Sequence, residues 1–229
     1  MVRLATVFRA FVATGLIMAV SPLAEASAAG SVSGEGSVLV AQMPGAKFRA
    51  KPKISVNAVA ALVLIMRTEN KDDPTYKAAR LVVSNAVAAR MKLDPVQLDK
   101  AWSRAPRDHQ IATLSALTQL GVRYLEGKES PYVNLDCSGL MWIAWRTAGV
   151  DLPRQAVSQL DRRMRVDRKD AIMGDIVGEG THVQIYLGLG LAMIHAPFNG
   201  KYVKFKTMSE EQAQRVVWTN PSNIATYRL

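Results

Sequence analysis

The chain is poor in cysteine and histidine, with one cysteine and three histidines in 229 residues. A single cysteine cannot form an intramolecular disulfide, so a disulfide-stapled scaffold is excluded. No apolar run reaches the ~18–20 residues that cross a bilayer, which excludes a polytopic membrane protein. There is no fixed-period repeat and no low-complexity tract, so solenoid and fibrous architectures are set aside. Acid is scarce relative to base: 19 acidic residues stand against 29 basic ones, for a net charge of +10. What is present suits a packed domain, with 49% hydrophobic and 21% charged residues. The excess of positive charge favours an anionic partner, whether nucleic acid, membrane surface or acidic cell-wall polymer.

Residues 1–28 read as a secretory signal peptide. Arg3 and Arg9 supply the positive start, Phe11 to Val20 the apolar centre, and Ala24-Glu25-Ala26 and Ala26-Ser27-Ala28 two small-residue cleavage sites. The alternative is an uncleaved anchor helix, for which the apolar stretch is short. The expected location is therefore the exterior, in the cell wall or periplasm, with no stable membrane span after processing. Residues 29–53 read as a flexible basic linker, ending in Lys47-Phe48-Arg49-Ala50-Lys51-Pro52-Lys53. Outside a reducing cytosol, one unpaired thiol stands out as a candidate reactive group.

Residues 54–105 read as an all-helical segment. Asp73-Pro74 and Asp94-Pro95 each pair a capping acid with a first-turn proline, and so mark two helix starts. A further start near Pro106 leads into Ile111, Leu114, Leu117 and Leu120, an apolar face ending at Gly121. His109 lies on that helix and is expected at the surface. After Gly121 come a loop at 125–135 and a helix from Cys137 to Ala148. Short β segments follow at 175–177, 182–187, 191–196 and 202–205, separated by glycine-rich turns. Helices followed by an antiparallel meander give an α+β class.

Asp136-Cys137-Ser138-Gly139-Leu140 places the cysteine on the first turn of a helix. Free N–H groups and the helix dipole there favour a thiolate and suit an oxyanion. A buried structural cysteine is the competing reading. Two of the histidines, His182 and His195, flank a predicted hairpin. A two-residue turn at Gly188-Leu189 sets them directly opposite each other, and a turn at Leu189-Gly190 shifts the register but keeps them close. One imidazole can accept the thiol proton while the other orients the first. A zinc site built from Cys137, His182 and His195 is the chemical alternative. The gap from Cys137 to His182 matches no compact zinc spacing and no fourth ligand is evident, so no metal and no cofactor is expected.

The ordered set Gly121-Val-Arg-Tyr124, Asp136-Cys137-Ser-Gly-Leu140, Leu152-Pro-Arg154, Gly174-Asp175-Ile-Val177, His182-Val-Gln-Ile-Tyr-Leu-Gly188 and Met193-Ile-His195-Ala-Pro197 resembles the NlpC family of bacterial cell-wall cysteine peptidases. The resemblance covers about residues 106–206 and assigns 106–229 to the peptidase domain. It implies a papain-like core, in which the nucleophile helix packs on a small antiparallel sheet. It also implies hydrolysis of peptidoglycan stem peptides, usually between the γ-carboxyl of D-glutamate and a diamino acid such as meso-diaminopimelate. By the same resemblance Cys137 is the nucleophile, His182 the base and His195 the third member. Tyr124, Asp136 and Ser138 become substrate-binding positions. Asp136 has two readings, the free amino end of a stem peptide or a helix cap. The chain departs from the family pattern at Leu125-Glu126-Gly127-Lys128, at Gln184 and in the short stretch before His182, all of which bear on the groove walls. The implied partners are stem peptides and anionic wall polymers, with no nucleic acid. The competing functions are an amidase cutting between muramic acid and L-alanine, and a wall-binding protein without catalysis.

Overall fold

The computed structural model describes residues 52–198 and 201–225; the leader and all but the last two residues of the basic linker lie outside them. Four helices come first: α1 (Lys53–Arg67), α2 (Pro74–Met91), α3 (Pro95–Arg104) and α4 (Arg107–Thr118). Both Asp-Pro pairs start helices as expected, because the acid caps and the proline sits where no N–H is needed. Asp73 accepts from Tyr76 N and Asp94 from Gln97 N, each at 2.9 Å. Among the described residues no helix is long and apolar enough to cross a membrane.

Three two-residue strands follow the helices: β1 (Arg123–Tyr124), β2 (Glu129–Ser130) and β3 (Asn134–Leu135), which form a small sheet in the order β1-β3-β2. Next come α5 (Cys137–Thr147), the short α6 (Ala156–Gln159) and two single 3₁₀ turns. The second sheet comprises β4 (Ile176–Glu179), β5 (His182–Tyr186), β6 (Ala192–His195), β7 (Lys204–Thr207) and, after α7 (Glu210–Arg215), β8 (Val217–Thr219). A short α8 (Ser222–Ala225) ends the described chain. The sheet is antiparallel throughout, in the order β7-β6-β5-β4-β8. The class is α+β, with the Cys137 helix laid on the small antiparallel sheet after a helical segment.

One apolar core joins the parts. It includes Ile65 of α1, Val83 of α2, Leu117 of α4, Trp145 of α5 and Ile185 of β5. Helix α4 is buried on every side, from His109 to Thr118, so its polar residues must find partners inside. Thr118 O accepts from Ser55 Oγ of α1 at 2.6 Å, and Gln110 Oε1 accepts from Tyr76 Oη of α2 at 2.6 Å. Trp102 of α3 is fully buried and its Nε1 donates to Leu187 O at 2.7 Å, which fastens the helical segment to the end of β5. Trp102→Phe keeps an aromatic ring but removes the pyrrole part with its N–H, which opens a small cavity at a fully buried site and leaves that carbonyl unpaired. The expected loss is about 1–3 kcal/mol of stability, read as a lower urea midpoint at constant slope.

His109 is not a surface residue. It is 1% exposed, with Nδ1 2.9 Å from Asp108 Oδ1 and Nε2 3.3 Å from Asp175 Oδ1, and its ring meets Trp145 edge-on at 4.9 Å. The Asp108 contact is a hydrogen bond, whereas the Asp175 contact is close enough for attraction but poorly aligned for one. Burial alone pushes the imidazole's pKa down, but the Asp108 hydrogen bond and then Asp175 overcome it and hold the group at about 9. The expectation failed because α4 is central, and its own periodicity does not show that a sheet covers its other side.

Candidate active site

The chain enters α5 through Asp136, whose side chain caps the helix by accepting from Gly139 N at 2.6 Å. Cys137 is the first helical residue and is 7% exposed. Gly139 is required by close approach, since a Cβ there would lie 2.4 Å from the Lys128 carbonyl oxygen. This backbone contact holds the 125–135 loop against the start of α5.

The thiol Sγ donates to Thr181 O at 3.5 Å and lies within reach of the Val183 N–H. These are the two neighbours of His182, so the turn into β5 brings the helix start to the strand start. Burial pushes the Cys137 thiol up; the Asp136 charge adds to this, while the N–H groups of Val183, Ser138 and Cys137 work against it. The helix terminus thus favours the thiolate as its geometry suggests, but desolvation outweighs it, and the resting group is a thiol.

The β5–β6 hairpin is offset from direct opposition of the histidines. Ile185 pairs with Ile194 and Tyr186 with Met193, which is the register of the Leu189-Gly190 turn. Gly188 (φ +89°) and Gly190 (φ +58°) supply the left-handed backbone of the loop, which Leu187 N closes onto Ala192 O at 2.9 Å. The shift is two residues, so both histidines stay on one sheet face as diagonal neighbours. Their rings bridge the gap. His182 Nε2 lies 3.3 Å from His195 Nδ1, with ring centroids 5.6 Å apart at 81°. Burial pushes the His182 pKa down, helped by Lys206. Burial, then His182, Lys206 and Lys204, bring His195 to about 4. Both imidazoles are neutral near pH 7, a state fit to accept a proton.

Of the predicted binding positions, Asp136 and Ser138 flank Cys137 in sequence and Tyr124 stands on β1. Tyr124 is half-buried on β1, held by its N–H to Lys201 O at 2.8 Å. Burial pushes the pKa of its phenol up. Asp136 acts as a cap here and is also clamped by Arg154: Nη2 donates to Oδ2 at 2.6 Å and Nη1 to Oδ1 at 3.0 Å. Arg154 Nη1 also reaches Ser138 Oγ at 2.8 Å, and its Nε reaches Glu129 Oε2 at 2.9 Å. Arg154 was not among the predicted site residues, although Leu152-Pro-Arg154 belonged to the set of motifs. A fork-shaped cation in that set, facing a lone acid beside the cysteine, is the signal for it. Among the described residues no group of His, Cys, Asp and Glu side chains is disposed to hold a metal ion.

Comparison with known proteins bears on this arrangement. Residues 121–220 match the NlpC/P60 family. Over 150 residues the chain is 28% identical to the murein DD-endopeptidase MepH of Escherichia coli, covering 61% of this chain and 53% of that protein. Over 83 residues it is 37% identical to the bifunctional muramidase/DL-endopeptidase CwlT of Bacillus subtilis, covering 33% of this chain and 25% of the other. Among solved structures, NlpC1 from Trichomonas vaginalis is similar at 29% identity and a TM-score of 0.41, covering 51% of this chain and 46% of that one. The chain thus spans about half the length of MepH and a quarter of CwlT. The matched residues 121–220 contain Cys137, His182 and His195 and resemble an NlpC/P60 family domain.

Proposed function

We propose that the chain is an exported peptidoglycan hydrolase that cleaves stem peptides at the bond from the γ-carboxyl of D-glutamate to the diamino acid. The observation that carries this reading is the meeting of a helix-start cysteine with the two backbone neighbours of His182, in a domain that resembles this family, with His195 3.3 Å behind that histidine. His182 Nε2 is engaged with His195, so Nδ1 is the nitrogen left to take the thiol proton. That requires the proton on Nε2, donated to His195 Nδ1, which makes His195 the group that selects the tautomer.

In the first step Cys137 Sγ attacks the amide carbon while its proton passes to His182. The oxyanion is met by N–H groups at the start of α5. His182 then gives the proton to the leaving amine, and a thioester to Cys137 remains. Water, deprotonated by His182, attacks the thioester and releases the acyl product and the free thiol. Tyr124, Asp136 and Ser138 line the acyl side, with Arg154 fixing the acid.

The division of the chain proposed here is a leader at 1–28, a basic linker at 29–53, a helical segment at 54–105 and the peptidase domain at 106–229. The +10 charge supports residence on an anionic wall. Digestion of purified peptidoglycan, followed by masses of the released fragments, tests the reaction. The expected break lies between D-glutamate and the diamino acid. A break between muramic acid and L-alanine makes the chain an amidase, and a break between D-alanine and the diamino acid makes it a DD-endopeptidase. Unbroken polymer that retains the protein makes it a wall-binding domain.

A further inference from the structure

Most cations for which the structure shows a side-chain partner stand beside an acid. Arg80 meets Asp99, Arg154 meets Asp136 and Glu129, Arg168 meets Glu210, and Arg215 meets Glu211. Other cations have no such partner among the described residues and are mostly exposed, but one group of them includes a half-buried lysine and lies beside the histidines. Lys204 and Lys206 on β7, with Lys201 just before that strand and Arg123 paired to it through Tyr202, form no ion pair or side-chain hydrogen bond with any described residue. The group lies beside the two histidines. Lys204 is directly opposite His195, and Lys206 is opposite Met193, one step diagonal from His195. Opposed residues share a face, so Lys204, Lys206, His195 and His182 project from one side of the sheet.

The placement is electrostatically unfavourable within the protein itself. Lys206 is half-buried and its charge bears on both imidazoles. The acid on the same face is Glu179, which the register sets opposite His182 on β4. It is three strand spacings from β7, about 14 Å, too far to neutralise the lysines. Asp136 and Glu129 are engaged by Arg154, and Glu126 lies on the Tyr124 side. A half-buried lysine kept next to one buried and one half-buried imidazole without a counter-charge calls for an anion from outside.

We infer that Lys206 and Lys204 form the binding site for a carboxylate on the leaving-group side of the substrate. This rests on the proposed endopeptidase reading and deepens it. Acyl-side contacts gather at Tyr124, Asp136 and Ser138 around Cys137, while the leaving amine takes its proton at His182. Beyond His182 the same sheet face runs through His195 to β7. A leaving residue seated there carries its substituents toward Lys204 and Lys206. The substrate selected is a stem peptide whose diamino acid bears a free side-chain carboxylate, as meso-diaminopimelate does. An amidated diaminopimelate, or lysine in its place, lacks the anion.

The test uses full-length protein carrying Cys137→Ala, so that peptides bind without turnover. Two tetrapeptides are titrated calorimetrically: L-Ala-γ-D-Glu-meso-diaminopimelate-D-Ala and the same peptide with the diaminopimelate side-chain carboxylate amidated. The free-carboxylate peptide is expected to bind about tenfold more tightly, the size of one charge-assisted contact. Adding Lys206→Gln with Lys204→Gln is expected to erase the difference, and Lys206→Arg alone to retain most of it. Equal binding of the two peptides overturns the inference, as does a preference that survives loss of both lysines. Discrimination by the double-lysine site in a protein whose wild type cleaves neither peptide supports the anion site and refutes the endopeptidase reading.

Discussion

Replacing Cys137 with alanine is expected to lower turnover of stem peptides by about a thousandfold or more, with no change in the thermal transition beyond ~1 kcal/mol. The residue is 7% exposed at a helix start, and its thiol donates one weak hydrogen bond to a carbonyl, so the fold depends on it little. The chemistry depends on it wholly, because no other thiol exists in the chain. Cys137→Ser tests the same point with the geometry kept, and it too should fail, since a hydroxyl is far harder to deprotonate than a thiol. His182→Ala should cost nearly as much, because both proton transfers run through that ring. His195 should be graded. His195→Asn or His195→Gln keeps an acceptor for the Nε2 proton of His182 and should retain more activity than His195→Ala. Near-full activity in His195→Ala, measured as kcat/KM in folded protein, would separate the two histidines functionally.

The second large effect concerns stability. His109→Gln is expected to destabilise the protein by about 3–5 kcal/mol, because it leaves two buried or half-buried carboxylates without their cation. The pH dependence has a definite sign. A histidine raised from 6.5 to about 9 contributes stability that is whole below 6.5 and lost as pH rises through about 9. Asp108 resists burial through its hydrogen bonds to His109 and Ser222 and is held at about 2. Its contribution is present above 3.8 and lost as pH falls through about 2. Asp175 is pushed up by burial, so its ionisation subtracts from stability as pH climbs past its ordinary value. The contributions of Asp108 and His109 are therefore both whole between 3.8 and 6.5 and weaken toward pH 9, and Asp175 adds to the loss as pH rises above 3.8. Urea midpoints across this range should fall on the alkaline side in the wild type and be flatter in His109→Gln. A flat wild-type profile from pH 6.5 to 9 contradicts the account.

These two sites show what a sequence reveals and what it conceals. Asp73-Pro74 and Asp94-Pro95 were legible because a cap and a first-turn proline act within four residues. The Cys137 helix was legible for the same reason, with Asp136 as its cap and Gly149 just beyond its end. The neighbourhood of His182 and His195 was legible as well, since either glycine turn keeps them on one face. The register itself was not: Gly188-Leu189 and Leu189-Gly190 are both acceptable turns, and in the observed one Gly188 lies where a Cβ would be 2.9 Å from Met173 Cβ. His109 could not be placed from its own helix, because its partner Asp175 is far along the chain and arrives only with the sheet. The two-residue strands β1, β2 and β3 are too short for any period. The C-terminal end carries a further local signal. Ser209-Glu210-Glu211-Gln212 is a capping box, with Gln212 N donating to Ser209 Oγ at 3.2 Å, and it opens α7 before the edge strand β8.

The single cysteine makes the central claim directly measurable. Full-length protein is treated with substoichiometric to equimolar iodoacetamide, and residual stem-peptide cleavage is plotted against the fraction alkylated by intact mass. The account predicts a straight line to zero activity at one label per chain, with the label on the Cys137 peptide and with labelling slowed by excess stem peptide. Cleavage that persists in fully alkylated protein would contradict it, because Cys137 could not then be the nucleophile.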